Sequence, residues 1–69
     1  MDIATLTGTP SETLAGLSLA SGITRTTLRR RLNHPGQFTL DEIEAIAKAA
    51  RIEPDDVLAR IAEWKQAAA

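Results

Sequence analysis

Threonine followed three residues later by glutamate occurs twice in this chain, each time just ahead of an apolar run. Thr9-Pro10-Ser11-Glu12 and Thr39-Leu40-Asp41-Glu42 both have the form in which a threonine hydroxyl caps a helix while the glutamate reaches back to the cap's own amide. In the first box proline stands at the first helical position, where a missing N–H is no loss. Such starts, followed by apolar residues at helical spacing after Pro10, predict an all-α fold with no strand core. With 69 residues and no cysteine, the chain is one small domain without covalent staples. Packed helices, a partner subunit, or both must hold it together.

The first box predicts a helix over 10–20, with Leu14, Leu17 and Ser21 on one side, and Ser21-Gly22 ends it. Ile23 follows as a buried plug. Thr24 caps a second helix over 25–33, whose apolar stripe is Leu28 and Leu32. His34-Pro35-Gly36-Gln37 has turn chemistry, and Phe38 reads as a hydrophobic anchor beside it. The second box predicts a helix over 40–51 with Leu40, Ile43, Ile46, Ala47 and Ala50 on one face. Its acids lie in the first turn and Lys48 and Arg51 in the last, as the helix dipole favours. Pro54 starts a final helix over 54–66 carrying Val57, Leu58, Ile61 and Trp64. Asp56 and Arg60, like Glu44 and Lys48, are four apart and predict modest intrahelical support. Residues 1–9 read as irregular or as a short turn of helix.

Charge is unevenly placed. Before residue 35 there are four arginines against two acids, and after it four bases against seven acids, for a net charge of −1. Arg25, Arg29, Arg30 and Arg31 are half of all Lys and Arg, and no acid interrupts them. Such a patch speaks of partners rather than of fold. Its bland reading is a solvated helix end favoured by the dipole. One histidine, no cysteine, no glycine-rich phosphate loop and no metal-ligand spacing leave the common catalytic recipes without material. The expectation is no enzyme, no metal and no cofactor, with the acids explained as helix first-turn residues. His34 reads as a bystander in a loop, and Trp64 as core or dimer interface. No apolar run approaches the ~18 residues of a membrane span and no signal peptide is visible, so a cytoplasmic protein with no membrane partner is expected.

Leu17-Ser18-Leu19-Ala20-Ser21-Gly22-Ile23-Thr24-Arg25-Thr26-Thr27-Leu28, followed by Leu32 and Asn33, resembles the helix-turn-helix of phage repressor and Cro-like (Xre-type) DNA-binding domains. Leu40 to Ile43 and Ala47 to Leu58 look like that family's fourth helix, turn and fifth helix, so the resemblance covers about residues 12–61. Ser18 stands where the family usually has alanine, and Arg51 where a glycine commonly ends the fourth helix. Family members carry a full helix ahead of the helix-turn-helix, whereas nine residues precede Pro10 here. The expectation is therefore uncovered apolar area near Val57, Ile61 and Trp64 that a twin subunit would bury.

The resemblance implies a repressor-like bundle of four to five short helices, the first shortened or absent. Residues 1–69 form a single domain, with the helix-turn-helix over 10–33 and supporting helices over 40–66. It implies sequence-specific binding of double-stranded DNA by a transcriptional regulator, with the 25–33 helix in the major groove of a palindromic operator and a homodimer on the DNA. No small-molecule ligand is expected, and the place of action is the cytoplasm of a bacterial host, on its nucleoid. Taking Leu28 and Leu32 as inward, the ~100° step between residues points Arg30, Thr26 and Asn33 most directly away and leaves Arg29 and Arg31 on opposite flanks. Arg25 lies in the first turn, which commonly meets base edges. Thr24, Thr26 and Thr27 reach phosphates or a thymine methyl. The expected DNA-binding residues are Thr24, Arg25, Thr26, Thr27, Arg29, Arg30 and Asn33. The alternative is a protein-interaction module, anti-repressor or antitoxin-like, that keeps the fold without operator binding.

Overall fold

The computed structural model describes residues 1–68 and contains five α-helices: α1 (Ile3–Thr7), α2 (Leu14–Ser21), α3 (Arg25–Asn33), α4 (Leu40–Ala50) and α5 (Pro54–Ala68). A single 3-10 turn, Pro35–Gln37, joins α3 to α4, and no strand occurs among the described residues. Ala69, the end of the trailing alanine run, lies outside them. The all-α, repressor-like bundle with a shortened first helix is thus what the chain forms.

Residues 1–9 hold a short helix. Asp2 Oδ1 accepts the Thr5 amide at 2.7 Å, and Gly8 closes α1 in the left-handed region at φ 71°. Buried Thr7 is satisfied, its hydroxyl donating to the Ile3 carbonyl at 2.9 Å and accepting the Thr9 amide at 3.3 Å. Five residues are too few to hold a helix alone. Docking holds α1, because Ile3 and Leu6 enter one core with Leu17, Leu28, Leu32, Ile43, Ile46, Ala47, Val57 and Ile61. α4 packs against α1, α2 and α5, and α3 packs against α2.

Docked α1 overturns the expectation of an uncovered face. It packs against α5, and Val57 and Ile61 are buried within the single chain. Trp64 is half-buried and stands outside the core cluster. The first capping box also fails: the Glu12 amide donates to the Thr9 carbonyl at 3.0 Å in a turn. The cap of α2 is Thr13, whose hydroxyl accepts the Gly16 amide at 3.0 Å, so the helix starts at Leu14 rather than at Pro10. Proline pre-sets the same φ for the second residue of a turn as for the first residue of a helix, and here the turn wins because the chain must reverse after α1.

The second box forms as expected. Thr39 Oγ1 accepts the Glu42 amide at 3.1 Å, and Glu42 Oε1 accepts the Thr39 amide at 2.9 Å. Leu40, at the first position of α4, is 70 % exposed rather than part of the inward face. The spaced pairs do not close either, since Arg31–Glu42 is the one ion pair among the described residues. Arg60 turns away from Asp56 and lies against Gly8, where an added Cβ would meet its Nη2 at 2.6 Å. Its Nη1 is buried without a hydrogen-bond partner among the described residues.

Arg51 ends α4 in the left-handed region at φ 60°, ψ 42°, the one non-glycine residue with positive φ among the described residues. That conformation costs a side-chain-bearing residue about 1–2 kcal/mol, partly offset by the extra backbone entropy a glycine loses on folding. Arg51→Gly should therefore stabilise the domain by about 0.5–1 kcal/mol, raising its melting temperature by several degrees for a chain of this size. Thermal denaturation checks this, and an unchanged or lowered midpoint would refute it.

Candidate nucleic-acid interface

The turn between α2 and α3 is built by small polar residues. Gly22 takes φ 78° and its amide donates to the Ser18 carbonyl at 3.0 Å. Ser18 hydroxyl donates to the Ile23 carbonyl at 2.6 Å, and Ser21 hydroxyl accepts the Ile23 amide at 3.2 Å. Serine in place of the family's usual alanine thus adds a bond across the turn while staying small enough for the helices to approach. Ile23 is only partly buried and packs against the edge of the core.

α3 begins at Arg25, as its cap predicts. Thr24 Oγ1 accepts the Thr27 amide at 3.3 Å and lies 3.0 Å from Thr27 Oγ1. Leu28 and Leu32 point inward and are buried. Thr24, Arg25, Thr26, Arg29, Arg30 and Asn33 are exposed, and Thr27 is half-buried. The structure therefore places all seven expected residues on one short capped helix and its cap, six of them open to solvent. Beside them, α2 contributes an uncharged surface of Ala15, Ser18 and Leu19, the last 89 % exposed.

The arginines divide by pairing. Arg25, Arg29 and Arg30 have no carboxylate within ion-pair distance among the described residues. Arg31, on the opposite flank from Arg29, is half-buried, and its Nε donates to Glu42 Oε1 at 3.0 Å. That oxygen is the one that closes the α4 capping box, so Glu42 ties α3 to the start of α4. The triplet thus supplies two outward cations and one structural tie. Glu42 is visible in the sequence as a cap residue, but its link to Arg31, eleven positions away, carries no local signal.

Burial opposes ionisation of Glu42, but the Thr39 amide and the Arg31 guanidinium outweigh it and hold the carboxyl below its ordinary value. A depressed folded pKa contributes stability above the unfolded value, lost as pH falls through the folded one. Glu42→Gln should therefore flatten the stability profile on the acid side of the ordinary 4.5, and cost about 1 kcal/mol at neutral pH. Chemical denaturation between about pH 3 and pH 7 tests this. A profile superimposable on that of the native protein would rule it out.

A short helix carrying unpaired cations, set by a glycine turn across a second helix, defines a helix-turn-helix domain. A family model for the Cro/C1-type helix-turn-helix DNA-binding domain matches residues 5–63, and the chain belongs to that family. No curated protein and no solved structure is similar enough to it to count as a match. Among the described residues no helix is long and apolar enough to cross a membrane, and no cluster of metal-ligating side chains occurs.

Proposed function

We propose that this protein is a sequence-specific transcriptional regulator of the phage Cro or repressor type, which lays α3 in the major groove of an operator. The observation that carries this reading is the set of three exposed arginines, Arg25, Arg29 and Arg30, without acidic partners among the described residues, on one capped nine-residue helix. Arg25 and Arg29 meet base edges, where the guanidinium fork matches the two acceptors of guanine. Arg30, pointing straight away from the buried stripe, meets phosphate, and Asn33, Thr24, Thr26 and Thr27 add polar contacts along the backbone and to thymine methyls.

One recognition helix spans few base pairs, so two copies act on a palindrome with their α3 helices about 34 Å apart, one helical turn. Leu58, Ala59 and Ala62, exposed on α5, offer the apolar strip for such pairing; Val57 and Ile61 do not, being buried. The protein then works in the cytoplasm of a bacterial host, at the nucleoid. The net charge of −1 favours the other reading, a protein-interaction module. A gel shift against the intergenic region beside its own gene, with a scrambled duplex as competitor and repeated across salt, separates the two. Preferential binding of the native duplex with a steep salt dependence supports the regulator. No binding of either duplex at low salt eliminates it.

A further inference from the structure

One more cation stands beside this helix, and it comes from the far end of the chain. Lys65, in the last turn of α5, lies over the 3-10 turn that leaves α3: a Cβ built on Gly36 would come 3.1 Å from its Nζ and 3.8 Å from its Cε. α5 and this turn pack directly together, and Pro35 within the turn is buried. Gly36, without a side chain, leaves the lysine room. No carboxylate reaches Lys65 within ion-pair distance and no hydrogen bond holds its Nζ among the described residues. Among the described residues the exposed ammonium has no protein partner and can pair with an anion from outside the chain.

The length of α3 says what lies there on DNA. Nine residues at a rise of ~1.5 Å make a helix of ~13 Å, about the ~12 Å width of the major groove. With its first turn at the base edges, its last turn stands at the groove wall. The chain leaving it, His34 and the turn under Lys65, is then next to the phosphates of one strand. Resting on the proposed reading of α3, we infer that Lys65 is a DNA-backbone contact, its Nζ pairing with a phosphodiester at the wall where α3 emerges. The contact carries no sequence information. It sets how deeply and at what tilt the recognition helix enters, because it ties a second helix, α5, to the strand that α3 meets.

The test compares native protein, Lys65→Ala, Lys65→Arg and the control Lys48→Ala on operator and scrambled duplexes. Lys48 carries the same charge but sits nine residues beyond Thr39, ~13 Å along α4 from the turn. Lys65→Ala should weaken binding to both duplexes by the same factor and leave the preference between them unchanged. It should lower the salt slope by about one counterion, so that the loss between 50 and 200 mM salt shrinks roughly 3.5-fold. Lys65→Arg should restore the slope, and Lys48→Ala should keep it. If the native protein binds its operator while Lys65→Ala has the native slope, or Lys48→Ala matches Lys65→Ala, this contact is refuted and the reading of α3 stands. If the native protein binds no duplex, both fall together. Lys65 is exposed, and matching melting curves confirm that each variant is folded.

Discussion

Changing Arg25, Arg29 and Arg30 together to glutamine should leave a protein that still melts cooperatively, within several degrees of the native one, and no longer selects its operator. All three side chains are exposed and make no ion pair among the described residues, and glutamine forms helix about as well as arginine. The fold therefore loses only the dipole contribution of Arg30 in the last turn of α3, at most about 1 kcal/mol. On DNA, each base contact is worth about 1–3 kcal/mol and each phosphate contact adds a salt-dependent increment. Losing three should cost about 3 kcal/mol or more, at least a hundredfold in affinity. Arg31 is left in place because its bond to Glu42 belongs to the fold, and changing it would mix the two effects. Single variants divide the roles. Arg25→Ala should blur the preferred sequence, whereas Arg30→Ala should weaken all sequences alike and flatten the salt slope by about one. A folded triple variant that keeps operator affinity would hand the protein to the interaction-module reading.

The sequence announces those parts of the fold that depend on neighbours within one turn. Thr24 and Thr39 sit at the caps where their spacing predicts, and Gly22 takes the left-handed turn. The inward placement of Leu28 and Leu32 follows from the period alone, and with it the outward direction of Arg30. The misleading signals are those with two local meanings or with causes far along the chain. Proline after threonine reads equally as a helix start or a turn, and only the reversal between α1 and α2 decides at Pro10. The period puts Arg31 on the flank away from Arg29, but its partner Glu42 is illegible because it comes near only through the packing of α3 on its neighbours. Arg60 has Asp56 at the right spacing on its own helix, but Gly8, fifty-two positions earlier, has no side chain to keep its guanidinium away. The covering of Val57 and Ile61 is illegible for the same reason. It comes from α1, whose Ile3 and Leu6 join the core, in a segment too short to show a period.

That covering predicts the largest effect on stability, from Leu6→Ala. Leu6 is fully buried in the core, and truncating such a leucine costs about 2–5 kcal/mol through lost transfer energy and the cavity left behind. A domain of this length has only about 3–10 kcal/mol in total, at ~0.05–0.15 kcal/mol per residue. The melting temperature should therefore fall by roughly 10–30 °C, since each kcal/mol is worth about 4–8 °C at this size. The loss is not confined to α1. Without Leu6 the largest apolar anchor of that helix is gone, leaving Ile3, Met1 and buried Thr7, and five residues do not persist undocked. Val57 and Ile61 then face water, so the variant should also self-associate more than the native protein, through the face that the sequence alone offers to a twin subunit. Thr5→Ala, on the exposed side of the same helix, should change the midpoint by only a few degrees. Thermal denaturation of both, with sedimentation of Leu6→Ala, decides the matter. A Leu6→Ala protein that melts like Thr5→Ala and stays as monodisperse as the native chain would mean that α1 does not complete this core.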